Sequence, residues 1–350
     1  MIDILHPAHV HFFRYFITAM EADGHLVLVT TRSKDNTLDL LDQLHNPSVK
    51  ISDARTGIFG MGRELIGRTR AFVKLGRSFK PDVLMGEHGT TIAIAGKILR
   101  VPSLVYWDTE VAKLVNSITY PLATVVYTPT SYTGKVHGQQ EKYKGYQKLA
   151  YLHPKWFRAD PTVLAKYEMS DGFVLVRFVS FKYNHDKGCV GIVDKIKFVR
   201  ELAKHRKVYV SCEGGVPSEL SKYELKIDFK DIFDVMAFAG LYVGESPTMA
   251  TEAALLGVPS VYVSNSPRGY ISELASKYGM VVWAKTESEG LQESLAILKD
   301  TSSLSLWTSR REKMLSEMID VTSWMIETVK GRGWGRRNKI KKKLSSCDKI

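Results

Sequence analysis

Several short stretches of this chain hold side chains able to move a proton or grip a phosphate. His9 and His11 stand two apart after an apolar run. A histidine near its ordinary pKa suits a general base that takes a proton from a hydroxyl; capping or lining the helix that follows is the plainer role. Asp108 and Glu110 flank Thr109. If the chain stays extended there, alternation puts both carboxylates on one face, where like charges raise one pKa and make an acid–base pair. Capping of the next helix is the alternative. Glu87-His88-Gly89-Thr90-Thr91 adds a carboxylate, an imidazole and hydroxyls on a side suited to a sugar or an acceptor. Arg177, followed by Ser180, could hold a diphosphate bidentately or pair with a carboxylate between strands. Glu213-Gly214-Gly215 is a turn that lets a ligand approach the backbone closely. In Gly244-Glu245-Ser246-Pro247-Thr248-Met249, Ser246 or Thr248 can cap a helix whose free N–H groups and dipole suit phosphate. Glu252 lies about one turn into that helix, within reach of a sugar hydroxyl. An ordinary strand–helix–strand crossover would need the same caps.

These stretches are positioned by alternating strands and helices. Ile2–Leu5 reads as a strand, Phe12–Ala22 as a helix closed by Gly24, and His25–Thr30 as a second strand. Helices are expected around Asp35–Leu44, Arg63–Phe79 and Thr91–Leu99. Strands are expected at Asp82–Gly86, Pro102–Tyr106 and Val125–Tyr127. Lys142–Pro161, punctuated by Pro154 and Pro161, reads as a linker. Gly172–Arg177 opens a second series, in which Gly240–Val243, the capped helix and Ser260–Val263 form one βαβ unit. A single amphipathic helix is expected over about Ser305–Val329. Such alternation implies parallel sheets with right-handed crossovers, and ligands then bind beyond the carboxyl ends of the strands.

The motif "EA-x-x-x-G-x-P" after Ser246–Met249 resembles the nucleotide-sugar site of GT-B glycosyltransferases and of the related UDP-GlcNAc 2-epimerases. The opening "HPAHVHFF…GH…V…TTR" and the later "RFVSF…HDKG" resemble the DUF354 family, over roughly residues 1–300. The resemblance implies an α/β GT-B fold of two Rossmann-like, doubly wound parallel-sheet domains facing a cleft. It divides the chain into residues 1–150 on the acceptor side, 151–304 on the nucleotide-sugar side, a helix over 305–330 packing back on the first domain, and a basic tail over 331–350. It implies diphosphate contacts from Ser246, Thr248 and Met249 and ribose contacts from Glu252, although Pro247 stands where GT-B loops usually have Gly and donates no N–H. Several inverting GT-B enzymes are similar in carrying a histidine on the first loop, where His9 and His11 stand. Glu87–Thr91 resembles a reordered "HGDTT" loop of the epimerases, whose His-Arg-Arg-Glu-Asn signature is absent.

The expected function is therefore an inverting, metal-independent glycosyltransferase in glycan, glycolipid or polysaccharide biosynthesis, using a UDP-linked nucleotide sugar as substrate and no cofactor. The chain has no Asp-x-Asp metal motif, and Arg177 with helix-end amides could neutralise the leaving diphosphate. The first rival is an epimerase-like enzyme using Glu87, Asp108 and Glu110. The second is a sugar-nucleotide or polyanion-binding protein without catalysis.

The 350 residues suit two domains, and 44% hydrophobic with 25% charged residues is ordinary for a globular protein. Cys189, Cys212 and Cys347 match no metal spacing, and the chain begins in a strand, so a reduced, cytoplasmic setting is expected. Residues 331–350 hold eight Lys or Arg against one Asp, so +7 of the net charge of +12 lies there. Such a run suits a solvated end or an anchor to an anionic membrane. No basic, aromatic-interleaved motif favours nucleic acid.

Overall fold

A computed structural model describes residues 1–33, 37–44, 47–55, 57–110, 112–179 and 191–333; Ser180 and the basic run beyond 333 lie outside the described residues. The first half alternates β1 (Ile2–Ile4), α1 (Pro7–Ala22), β2 (Val29–Ser33), α2 (Thr37–Gln43), β3 (Ser48–Asp53), α3 (Ile58–Phe79), β4 (Leu84–Glu87), α4 (Thr90–Leu99), β5 (Ser103–Tyr106), α5 (Lys113–Leu122) and β6 (Val125–Pro129), then β7 (Gln140–Tyr143). These strands form one parallel sheet in the order β3-β2-β1-β4-β5-β6-β7. β5 and β6 are buried at every position, as a sheet covered on both faces requires. The order reverses between β1 and β4, which opens a crevice at their carboxyl ends.

Helix α1 begins at Pro7, not at Phe12 as the apolar spacing suggests. Proline fits the first helical position because its missing N–H is unneeded there, and the His6 side chain caps by accepting from Ala8 N–H. His9 and His11 are therefore helical residues and not loop residues.

A connector with α6 (Leu149–Leu152) and α7 (Thr162–Lys166) leads to β8 (Val174–Phe178), α8 (Lys195–Ala203), β9 (Val208–Cys212), α9 (Ile232–Ala237), β10 (Leu241–Gly244), α10 (Pro247–Leu255), β11 (Ser260–Val263), α11 (Gly269–Ser276), β12 (Val281–Ala284) and α12 (Glu287–Lys299). Their parallel sheet runs β12-β11-β10-β8-β9 and reverses between β8 and β10. The connector is no solvated linker: every residue of α6 is buried.

The last amphipathic stretch is two helices, α13 (Ser303–Glu317) and α14 (Val321–Gly331). Asp320 breaks it by capping α14, its carboxylate accepting from Ser323 N–H at 3.0 Å. α13 stays on the second sheet, where Trp307 Nε1 donates to Met280 O at 2.7 Å. α14 crosses to α1 and α6, and Trp324 stacks on Tyr143 of the first sheet with ring centres 4.8 Å apart. The two crossings touch, since Ile319 N–H donates to Lys144 O at 2.8 Å.

Candidate active site

The crevice of the first sheet brings α1 against the end of β4. His9 is buried, and its Nδ1 accepts from Leu5 N–H at 3.3 Å. That contact leaves Nε2 facing Glu87 Oε2 at 4.0 Å. His11 faces another way. Its ring meets Phe233 edge-on at 4.6 Å and Tyr151 at 5.6 Å, and its Nδ1 has no hydrogen-bond partner among the described residues. Burial, helped by Arg14 and His6, pulls its pKa down to about 3. A ring so reluctant to hold a proton is a poor base at neutral pH.

Asp108 follows β5, next to β4 in the sheet, so it arrives beside Glu87. Lys148 Nζ donates to Asp108 Oδ2 at 2.5 Å, with both side chains less than a tenth exposed. With its amide turned to satisfy its neighbours, Gln147 donates to Asp108 Oδ2 (2.9 Å) and Glu87 Oε1 (3.1 Å) and accepts from Trp107 N–H (3.2 Å). Tyr270, from the second domain, lays its ring under Lys148 Nζ at 4.5 Å. Burial and the neighbouring Asp108 push Glu87 up to about 8, with Lys148 acting in the opposite sense. Burial works against the Lys148 charge, but Asp108, Tyr270 and Glu87 together hold its pKa above the usual lysine range. Burial thus favours the protonated form of Glu87, while Asp108 sits in an ion pair with Lys148.

On the second sheet, the β8–β10 crevice presents backbone. Ser246 caps α10, its Oγ accepting from Met249 N–H at 3.3 Å, and Pro247 takes the first helical position. Gly244 admits no side chain, because an added Cβ would lie 2.4 Å from Arg177 O. Arg177 donates to Ser211 Oγ at 2.6 Å and to Glu213 Oε1 at 3.3 Å, while its buried Nε has no partner among the described residues. Gly214 and Gly215, at φ of 84° and 101°, turn the chain beside it. Thr248 and Met249 are half-buried on the first turn of α10. Glu252 is buried and accepts from Tyr151 Oη at 2.6 Å. Burial raises its pKa to about 7 against the pull of Tyr151, Lys148 and Arg177.

The structure thus draws His9, Glu87, Asp108 and Glu252 around residues 147–151 of the connector. It leaves other candidates outside that group. β5 ends at Tyr106, so strand alternation no longer governs residues 108 and 110, and Glu110 turns to Thr133, accepting from its N–H at 3.3 Å and its Oγ1 at 3.4 Å. His88, in the left-handed region at φ 75°, stacks on Trp107 at 4.1 Å. Thr90 Oγ1 bonds Thr119 Oγ1 at 2.8 Å, beneath α5. Gln147, Lys148, Tyr151 and Tyr270 were not among the sequence candidates. The one signal for the first three is the apolar content of Gln147-Lys148-Leu149-Ala150-Tyr151-Leu152, too rich for a linker.

Residues 1–168 match the model of a family described as "Protein of unknown function (DUF354)". An uncharacterized protein of Methanocaldococcus jannaschii is 23% identical over 288 residues, spanning 74% of this chain and 80% of its own length. Among solved structures, the UDP-GlcNAc 2-epimerase from Neisseria meningitidis bound to UDP-GlcNAc superposes with a TM-score of 0.68 at 10% identity, over 94% of this chain and 99% of that one. The Methanocaldococcus jannaschii UDP-GlcNAc 2-epimerase in complex with UDP-GlcNAc and UDP gives 0.62 at 11% identity, over 86% and 92%. A spinosyn forosaminyltransferase gives 0.60 at 11% identity, over 94% and 99%. At these identities the likeness is one of fold, and the fold is GT-B.

Proposed function

We propose that this chain is a nucleotide-sugar enzyme whose proton chemistry runs through Glu87 and Asp108, in a reaction that removes and returns a proton on the sugar, as an epimerase does. One observation carries this reading: two carboxyls share Gln147 and Lys148 yet sit in opposed environments. A carboxyl whose charged form is disfavoured, next to one held in an ion pair, suits an acid and a base working together. Glu87 brings a proton and Asp108 a charge. Lys148 holds Asp108 in place, and His9 and Gln147 position Glu87. On the facing domain, the capped start of α10 and Arg177 offer a diphosphate site. Glu252 would take a ribose hydroxyl in exchange for Tyr151 Oη.

Transfer to an acceptor is the second reading, favoured by the approach of His9 Nε2 to Glu87. A histidine beside a carboxylate can take an acceptor's proton. Under the first reading a carboxylate is the base; under this one it is His9. The UDP-GlcNAc bound in the two epimerase structures makes it the first substrate to try.

The purified chain is incubated with UDP-GlcNAc in deuterated water without acceptor. Deuterium appears at C2 of the sugar, persists in His11→Phe and is lost in Asp108→Asn. Absence of exchange, with UDP released only after an acceptor glycan or lipid is added, would replace this reading with transfer.

A further inference from the structure

Helix α3 shows solvent a face that a soluble helix has no use for. Phe59, Arg63, Ile66, Arg70, Lys74 and Arg77 recur at spacings of three and four, which is one face of a helix. All are exposed. Phe59 is 95% exposed and Ile66 55%, and Met61, which the helical period turns away from that face, is 52% exposed. Toward the core the charged residues of the same helix are paired. Arg68 is held by Asp3 and Ser52, and Glu64, its one acid, is buried against Arg32 and Arg55 N–H. So the acid that could balance the outer cations is turned inward. Among the described residues, no ion pair engages Arg63, Arg70, Lys74 or Arg77.

We infer that the outer face of α3 docks on an anionic lipid bilayer. An exposed phenylalanine at the end of a helix gains nothing in water, and single exposed apolar residues are common. Here two stand on one helix face among four cations, with no exposed acid on the helix. This is the pattern of a helix lying in a membrane interface, apolar side chains among the acyl chains and cations at the headgroups. Charge decides between a membrane and a second copy of the chain, because four unpaired cations meeting their own image across a two-fold axis would repel. The same layer of the first domain carries α4 and α5, where Ile98, Leu114 and Ile118 are also exposed. α3 follows β3 and so begins at the carboxyl end of the sheet, the end that holds Glu87. A bilayer meeting Phe59 would lie beside the mouth of the crevice. The surface belongs to the folded domain and is distinct from the basic run after residue 333, and the inference holds whichever sugar reaction the site performs.

The test uses the full chain, so that basic run is present throughout. Flotation compares phosphatidylcholine vesicles with vesicles of phosphatidylcholine and phosphatidylglycerol. The wild type floats with the anionic vesicles only, and less as salt rises. Arg63→Ala/Arg70→Ala/Lys74→Ala lowers partitioning by roughly 100-fold, since each cation near an anionic surface contributes a several-fold gain. Phe59→Ser/Met61→Ser/Ile66→Ser lowers it by roughly ten-fold or more even at low salt. Circular dichroism and thermal melting confirm that both variants fold, as substitutions at exposed positions should. Unchanged flotation in both variants would assign binding to the terminal run and overturn the inference. So would a failure of the wild type to bind, or sedimentation showing a dimer that these same substitutions dissolve.

Discussion

The two crevices are built from opposite materials. At the β1/β4 crossover the first domain gathers side chains: His9, Glu87 and Asp108, with Lys148 and Gln147 from the connector. Burial there works on titratable groups, and their protonation is set by one another. At the β8/β10 crossover the second domain offers backbone: a helix start capped by Ser246, a strand end stripped to Gly244, two glycines in the left-handed region, and a single arginine. Burial there shapes a path for a ligand to approach amides. One topological position, used twice in a chain, can serve to move protons or to hold an anion, and residue type at the strand ends decides which.

If the first crevice is the chemical one, its substitutions should strike turnover and spare binding. Asp108→Asn is expected to lower turnover by about 10²–10⁴-fold while calorimetry with UDP gives the wild-type affinity; equal losses in both would erase the division. Lys148→Met leaves two buried carboxyls without their cation and should cost about 3–5 kcal/mol of stability, read from urea unfolding. A loss under about 1 kcal/mol would mean that water reaches the pair.

The second crevice should answer in the reverse way. Glu252→Ala is expected to weaken UDP binding by about 1–3 kcal/mol, with turnover at saturating substrate nearly kept. Unchanged affinity in a folded variant removes Glu252 from the nucleotide site.

The smallest expected effect concerns pH. Glu87 has its folded-state pKa raised from an ordinary carboxyl value of 4.5 to about 8. The stability it contributes is therefore fully present below about pH 4.5 and lost progressively as pH rises from there to about 8. Glu87→Gln should melt like the wild type near pH 4 and above it near pH 6, by on the order of 2 kcal/mol. Parallel melting curves across that window would show that Glu87 is ionised throughout, and with it the acid–base pairing would fall.

How much of this can be read from the chain alone depends on how local its cause is. The βαβ unit from Gly240 to Val263 is legible, because an apolar run, a capping Ser, Pro247 and Gly257 are all local signals. The start of α1 is not, since histidines in a first turn carry no helical period. Asp108 and Glu87 are neighbours only because β4 and β5 pair with Glu87 opposite Tyr106, a fact of sheet order that spacing cannot give. Lys148 is hidden for a further reason. Its partner is 40 residues away, and the Gly, Lys and Pro around it read as a linker until Leu149–Leu152 are seen to be buried.

The place where the chain changes domains has a mechanical meaning. It crosses once near Gly145 and returns near Ile319, and the two passes touch: a Cβ on Gly145 would lie 3.0 Å from Val321 Cγ2. A body held to another at two distant points is locked, and one held at a single point can swivel any way. Two adjacent passes gather the covalent ties between the domains into one seam, so elsewhere the domains are held together by side-chain contacts such as Tyr270 under Lys148 Nζ and Glu252 with Tyr151 Oη.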